Sequence, residues 1–324
     1  MREFRIAQPR TVEELTALLT EGAGNTALMA GGTDLLDELK SGVVSADIVV
    51  DLLTVQGLAG IIKDKDGLRI RPLARIAELA EDRAVAEDYP ILKEAALSLA
   101  TPQLRNMGTV GGNLCQRPRC WYYRDPLVHC RKKGGSQCFA THGRNKYHAI
   151  LGGGMCHIVH PSDLAPALIS LGTQVIVGSA KGDRTLPLEQ FFALPSVNVR
   201  RENILASGQY LKEIRVPAKK PGQKGAYVKL KERGTWDFAV ASAAVTAIVS
   251  GGVFSEIALV MGGVAPVPWR MAQAEEILRG KPVTEALIKT AAEKALKDAR
   301  PLAENAYKIN MAAAAFKKAV LSLL

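Results

Sequence analysis

Hydrophobic positions along the chain switch repeatedly between a spacing of three to four residues and a spacing of two, which predicts mixed helices and strands. Thr11-Val12-Glu13-Glu14 reads as a capping box, with the Thr11 hydroxyl and Glu14 carboxylate closing the first turn of a helix that runs to about Leu19. Thr26–Met29 reads as a short strand entering Ala30-Gly31-Gly32-Thr33-Asp34, followed by a helix over 35–39 and a buried strand over 48–53. Asp64-Lys65-Asp66-Gly67 is a turn between strands near Ile61 and Ile70. Over 90–99, proline stands at its permitted first helical position, and Ile91, Leu92, Ala95, Ala96 and Leu99 make one apolar face. The run 101–113, containing Gly and Asn, interrupts this pattern.

Ser162 is placed to cap a helix over 163–171, and strands at 175–177 and 185–187 flank the hairpin signal Lys181-Gly182-Asp183. Residues 219–225, Lys-Lys-Pro-Gly-Gln-Lys-Gly, have linker composition and mark the expected domain boundary, dividing the chain into 1–219 and 220–324. Beyond them come strand-like runs at 226–231, 238–249 and 257–261, then amphipathic helices over 283–296 and 302–321. The expected class is α+β, a mixed N-terminal part followed by a small antiparallel sheet backed by helices. No internal repeat is visible.

Composition narrows the function. With 48% hydrophobic and 23% charged residues, the 324-residue chain is built like a globular protein. Its opening lacks the continuous apolar core of a secretory signal, and its most apolar run, 238–251, is short and broken by Ser, Thr and Gly. A cytoplasmic location is the expectation. The net charge of +10 raises the question of nucleic acid, but the excess is local. Between Cys115 and His160, Arg117, Arg119, Arg124, Arg131, Lys132, Lys133, Arg144 and Lys146 face only Asp125, a net +7. No zinc-finger spacing, RNP signature or aromatic-basic stripe accompanies them, so no nucleic-acid partner is expected.

The same segment holds all five cysteines (Cys115, Cys120, Cys130, Cys138, Cys156) and all five histidines (His129, His142, His148, His157, His160). Clustered cysteines without a secretory signal point to metal or redox chemistry rather than disulfides. Spacing leaves zinc open, although the CxxC pair common in structural zinc sites is absent. The basic residues are placed to offset gathered thiolates, or to form a docking surface.

Two glycine-bearing runs carry a second chemistry: Met29-Ala30-Gly31-Gly32-Thr33-Asp34, and 105–113 with Thr109, Gly111, Gly112 and Asn113. Glycines let backbone approach a ligand, and successive N–H groups at a helix start make a nest for phosphate oxygens. Neither run matches GxGxxG or GxxxxGK[ST], and either alone reads as a tight turn.

Together these runs, MAGGTDLL and TPQLRNMGTVGGNL, resemble the paired FAD pyrophosphate loops of flavin subunits in the xanthine dehydrogenase and carbon monoxide dehydrogenase family of molybdenum hydroxylases. The resemblance continues through HPSDLAPAL from His160, YVKLKERGTWDFAVASAA from Tyr227 and MGGVAPVPWR from Met261. It implies a two-part FAD-binding domain before the C-terminal sheet. By the same token Asp163 helps anchor FAD, Lys229 lies near the flavin, and no residue of this chain is catalytic toward an organic substrate.

The segment 115–160 resembles an insertion found in the flavin subunits of hydroxybenzoyl-CoA reductase and some bacterial aldehyde oxidoreductases. The resemblance implies a four-iron four-sulfur cluster on Cys120, Cys130, Cys138 and Cys156, with Cys115 a packed thiol. It also implies a hetero-oligomer with a large molybdenum-cofactor subunit and a small two-iron two-sulfur subunit, within which electrons are relayed to or from an external redox partner. Two other readings stand beside it. A stand-alone flavin oxidoreductase predicts turnover by the isolated chain, and a basic binding protein with a structural metal predicts no flavin and salt-dependent polyanion binding.

Overall fold

The computed structural model describes residues 1–21, 25–234 and 236–324. The first unit runs β1 (Arg5–Ala7), α1 (Val12–Glu21), β2 (Thr26–Met29), α2 (Leu35–Lys40) and β3 (Ile48–Asp51), with a parallel sheet in the order β1-β3-β2. At the start of α1 the Thr11 hydroxyl accepts the Glu14 N–H, as a capping box requires. The Glu14 carboxylate takes the Arg10 N–H instead of that of Thr11, so the expected box is only half formed.

The second unit begins with the hairpin β4 (Ile61–Asp64) and β5 (Gly67–Ile70) and continues through α3 (Ile76–Glu81), α4 (Arg83–Asp88) and α5 (Pro90–Ser98). The run expected to be irregular folds as two short helices, α6 (Pro102–Met107) and α7 (Val110–Cys115). Thr101 and Thr109 cap them, accepting the N–H groups of Leu104 and Gly112. After the cysteine segment, which holds only α8 (Trp121–Arg124) and two 3-10 turns, come α9 (Leu164–Ser170), β6 (Gln174–Gly178), β7 (Arg184–Pro187) and β8 (Tyr210–Pro217). These strands complete an antiparallel sheet in the order β4-β5-β8-β6-β7.

The third unit is a four-stranded antiparallel sheet, β12-β11-β10-β9, of β9 (Gln223–Leu230), β10 (Ala241–Ser250), β11 (Val253–Gly262) and β12 (Trp269–Arg270). Helices α10 (Ala272–Leu278), α11 (Glu285–Leu296) and α12 (Tyr307–Leu321) cover one face. Tyr227, Ala244 and Val260 point the other way, into the core formed by α5 and α9. Alternate residues of β10 therefore serve two cores, which is why its sequence reads as a continuous apolar run. The observed class is the α+β arrangement expected. Among the described residues, no helix is long and apolar enough to cross a membrane.

Three differences from the sequence reading have physical causes. Strand β8 is central to its sheet yet carries Lys212, Glu213 and Arg215; Glu213 is buried there and neutralised by Arg69, Arg71 and Arg215. The strand expected over 238–249 starts later, because 238–240 belong to the loop before β10. The short β1 earns its place only through pairing with β3, which no local pattern announces.

Candidate functional site

The two glycine runs meet. A cleft of about 400 Å³ is lined by Ala30, Gly31, Gly32, Thr33 and Asp34 on one side and Thr109, Gly111, Gly112 and Asn113 on the other. Close packing explains two of the glycines, Gly31 against the other run and Gly111 against Pro72. A Cβ on Gly31 would lie 1.9 Å from the Met107 carbonyl oxygen, and one on Gly111 would lie 2.6 Å from Pro72 Cβ. Gly32 has φ +71°, a left-handed backbone that favours glycine.

The runs differ in what they offer a ligand. The N–H groups of Gly31, Gly32 and Thr33 find no protein acceptor among the described residues, which suits a phosphate nest. In the second run, Gly111 donates to the Pro72 carbonyl, Gly112 to Thr109 Oγ1 and Asn113 to the Thr109 carbonyl. The expected second nest is therefore not there; those N–H groups are spent on building α7 and fixing it to the chain. Asn113 accepts the Ser162 hydroxyl at 2.5 Å, coupling the cleft to the HPSD motif. Met29 does not line the cleft and packs instead with Leu39, Ala46 and Val49.

A second open cavity, about 390 Å³, lies between the HPSD motif and the loop leading to β10. Arg119 lines both it and the glycine cleft, stacking its guanidinium 5.2 Å from the Phe238 ring centroid. Asp163 lines this cavity and is buried; its Oδ1 accepts the Tyr227 hydroxyl at 2.6 Å and its Oδ2 the Lys229 ammonium at 2.8 Å. Lys229 is itself buried and acts by holding Asp163 rather than by lining the cavity. The Ser162 hydroxyl accepts the Ala165 N–H, capping α9 as expected. Thr235, within the motif that begins at Tyr227, lies outside the described residues.

Cys120, Cys130, Cys138 and Cys156 line a third, much smaller cavity of about 10 Å³. Cys115 is not among its lining residues; it faces the glycine cleft, and burial pushes its thiol up to about 12. Cys138 is pulled down to about 5, chiefly by its hydrogen bond with Cys156, whose own thiol is pushed up by the same bond. Burial raises Cys120 to about 11, and His148 Nε2 lies 3.2 Å from its sulfur. Among the described residues, no three His, Cys, Asp or Glu side chains are spaced to hold a single metal ion.

Of the eight basic residues of the segment, Arg131 and Lys132 line the cysteine cavity, and the others do not. Arg119 and Arg124 pair with Asp34 at 2.8 and 2.7 Å, and Arg117 pairs with Glu202 at 3.0 Å. Lys132 also pairs with buried Glu202, Arg144 with Glu304, and Lys146 with Glu232. Sequence-distant acids take six of the eight cations, so the segment is stitched to all three units, and Lys132 also works to lower the Cys156 thiol.

Comparison with known proteins fits this geometry. The profile of the FAD-binding domain in molybdopterin dehydrogenase matches residues 2–219, and that of the CO dehydrogenase flavoprotein C-terminal domain matches residues 226–323. The chain belongs to the FAD-binding subunits of the xanthine dehydrogenase and carbon monoxide dehydrogenase family of molybdenum hydroxylases. It is 34% identical to the aldehyde oxidoreductase FAD-binding subunit PaoB of Escherichia coli over 318 residues, 96% of this chain and 95% of that protein. Identity to the carbon monoxide dehydrogenase medium chain of Hydrogenophaga pseudoflava is 29%, over 98% and 96% of the two chains. A solved structure of carbon monoxide dehydrogenase from that organism, lacking the Mo-pyranopterin moiety, superposes with a TM-score of 0.79 at 27% identity, covering 99% of this chain and 97% of that one. The family's flavin subunits are oxidoreductase components, and this one binds FAD.

Proposed function

We propose that this chain is the electron-transfer subunit of a molybdenum hydroxylase complex, carrying FAD together with a four-iron four-sulfur cluster on Cys120, Cys130, Cys138 and Cys156. Its partners are a large molybdenum-cofactor subunit and a small two-iron two-sulfur subunit, and it relays electrons between them and an external redox partner. We assign it to the cytoplasm, where thiols stay reduced, and divide it into an FAD-binding domain, 1–219, and a C-terminal domain, 220–324.

The observation that carries this reading is the order of the three cavities. Arg119 is common to the glycine cleft and the Asp163 cavity, and Cys120, His148 and Ile158 are common to the Asp163 cavity and the cysteine cavity. The free N–H groups of Gly31, Gly32 and Thr33 suit the pyrophosphate, and Asp163, fixed by Tyr227 and Lys229, suits the other end of the same cofactor. Four thiols on one small cavity suit a cubane, whose corners need not meet the spacing of ligands around a single ion. The cofactors supply the electron exchange when bound; the chain supplies position, desolvation and fixed charge.

The test is the visible spectrum of the anaerobically purified subunit, with flavin, iron, sulfide and zinc assays. FAD released by acid precipitation and equal iron and sulfide, four of each per chain, are expected. Cys115→Ser should keep the iron, whereas serine at Cys120, Cys130, Cys138 or Cys156 should lose it. One equivalent of zinc without iron would overturn the cluster, and turnover of an organic substrate by the isolated chain would overturn the subunit role.

A further inference from the structure

Lys308, on α12, is 0% exposed and forms no ion pair among the described residues. Its ammonium donates to three carbonyl oxygens: Tyr147 at 3.0 Å, His148 at 2.9 Å and Gly263 at 2.6 Å. A charged lysine has three N–H donors, and here each has an acceptor. The carboxylate one turn earlier, Glu304, is engaged elsewhere, with Asn145 and Arg144. Burying a lone ammonium is costly, and burial pushes Lys308 down to about 7. A helix that needed only packing at this point would use an apolar side chain, since loss of the amine would free three carbonyls but remove a buried charge.

The three carbonyls share a location. Tyr147, His148 and Gly263 all line the Asp163 cavity, and His148 also lines the cysteine cavity. Asn305, on the approach to α12, donates to the His148 carbonyl as well, so this wall is held from behind by the C-terminal domain.

We infer that Lys308 is a positioning residue whose buried charge, set behind the Tyr147–His148–Gly263 wall, raises the reduction potential of the flavin and, to a smaller extent, of the cluster. The inference rests on the assignment of FAD and cluster to those cavities. Each electron added beyond the wall brings negative charge, which the ammonium, protonated below about pH 7, stabilises across a poorly screened site. The flavin effect is the larger, because all three residues contacted by Lys308 line its cavity and one lines that of the cluster.

The test uses the purified subunit with its cofactors at pH 6, where Lys308 is charged, titrated with dithionite in the presence of mediator dyes and read by flavin absorbance and by electron paramagnetic resonance of the reduced cluster. Lys308→Met and Lys308→Gln should each lower the flavin potential by about 30 mV for the two-electron couple, a tenfold shift in the reduced-to-oxidised ratio, with a smaller fall for the cluster. Gln retains two donors to the wall, which keeps the experiment readable if Met does not fold. Lys308→Arg keeps the charge and should keep the potential near that of the wild type, even where it loosens packing. Unchanged flavin potential in the neutral variants, or an equal fall in Lys308→Arg, overturns the inference. Absence of flavin and iron from the wild-type protein would overturn the assignment beneath it, and the content assays that precede the titration distinguish the two failures.

Discussion

The glycine cleft and the cysteine cavity are built by opposite means. The cleft is made of backbone: a parallel strand-to-helix turn and two short helices, closed by direct contact between Gly31 and the Met107 carbonyl and between Gly111 and Pro72. The cysteine segment has little regular structure, and its position depends on side chains reaching elements far away in sequence. Arg117 and Lys132 go to Glu202, Arg119 and Arg124 to Asp34, and Tyr123 to Glu38. A backbone site is lost through added atoms, whereas a side-chain site is lost through removed ones. The difference makes the two sites separable by mutation, and it singles out Asp34, which belongs to both.

The largest effect should come from adding atoms to the cleft. Gly31→Val places its Cβ into the Met107 carbonyl, backbone that has no rotamer to yield. Overpacking of that kind costs about 3 kcal/mol, which as lost affinity is about 100-fold in FAD binding. Fluorescence titration of the apoprotein with FAD checks this, and affinity within threefold of the wild type would refute the contact. Gly112→Ala should be mild by comparison, because its Cβ would meet the Thr109 hydroxyl at 3.0 Å rather than backbone.

Next in size is removal of the anchor of the cysteine segment. Glu202 is buried and serves two cations, one of them the buried Lys132. Glu202→Ala leaves that lysine without its counter-ion, at a cost of about 3 kcal/mol. Iron should be lost to a chelator faster than from the wild type, while flavin content stays near stoichiometric. Equal loss of both would show that the two sites are not separable. Asp34→Asn sharpens the same comparison: it weakens the links to Arg119 and Arg124 and should lower flavin and iron retention together.

How much of this was legible in the sequence follows the same division. The cleft could be read, because glycine runs at a strand end and before a capped helix have a local signature. Even there, the difference between the two runs was hidden. Whether an N–H is free or already given to Pro72 depends on a residue some forty positions away. The four cysteines were legible as a set from the resemblance, yet the use of the basic residues was not. Composition shows +7 but not Glu202, Asp34, Glu232 and Glu304, which receive six of the eight cations. Asp163 and Lys229 were legible only as separate residues, and their ion pair joins a helix start to a strand of the other domain. Lys308 carried no signal at all, since a lysine on an amphipathic helix reads as solvated.

The smallest predicted effect lies in a charged group outside both sites, which tests whether burial of ion pairs alone explains the strength of the Glu202 anchor. Glu213 on β8 is as buried as Glu202 and meets three arginines, Arg69 at 3.0 Å, Arg71 at 2.8 Å and Arg215 at 2.6 Å. Burial works to raise its carboxyl, but the hydrogen bonds from Arg69 and Arg215 and the charge of Arg71 outweigh it and hold the group below its ordinary 4.5. A carboxylate lowered on folding contributes stability that is complete above the ordinary value and is lost as pH falls through the folded one. Glu213→Gln should therefore cost about 1 kcal/mol at neutral pH and less as the pH falls below about 4.5. The cost stays small because Arg69 and Arg215, unlike Lys132, keep 37% and 47% of their side-chain surface in water and can hydrate when the acid is removed. Urea unfolding of wild type and Glu213→Gln at pH 7 and pH 3.5 gives the comparison. A cost at pH 7 as large as that of Glu202→Ala would show that burial of the acid, not of its cation, sets the strength of both anchors.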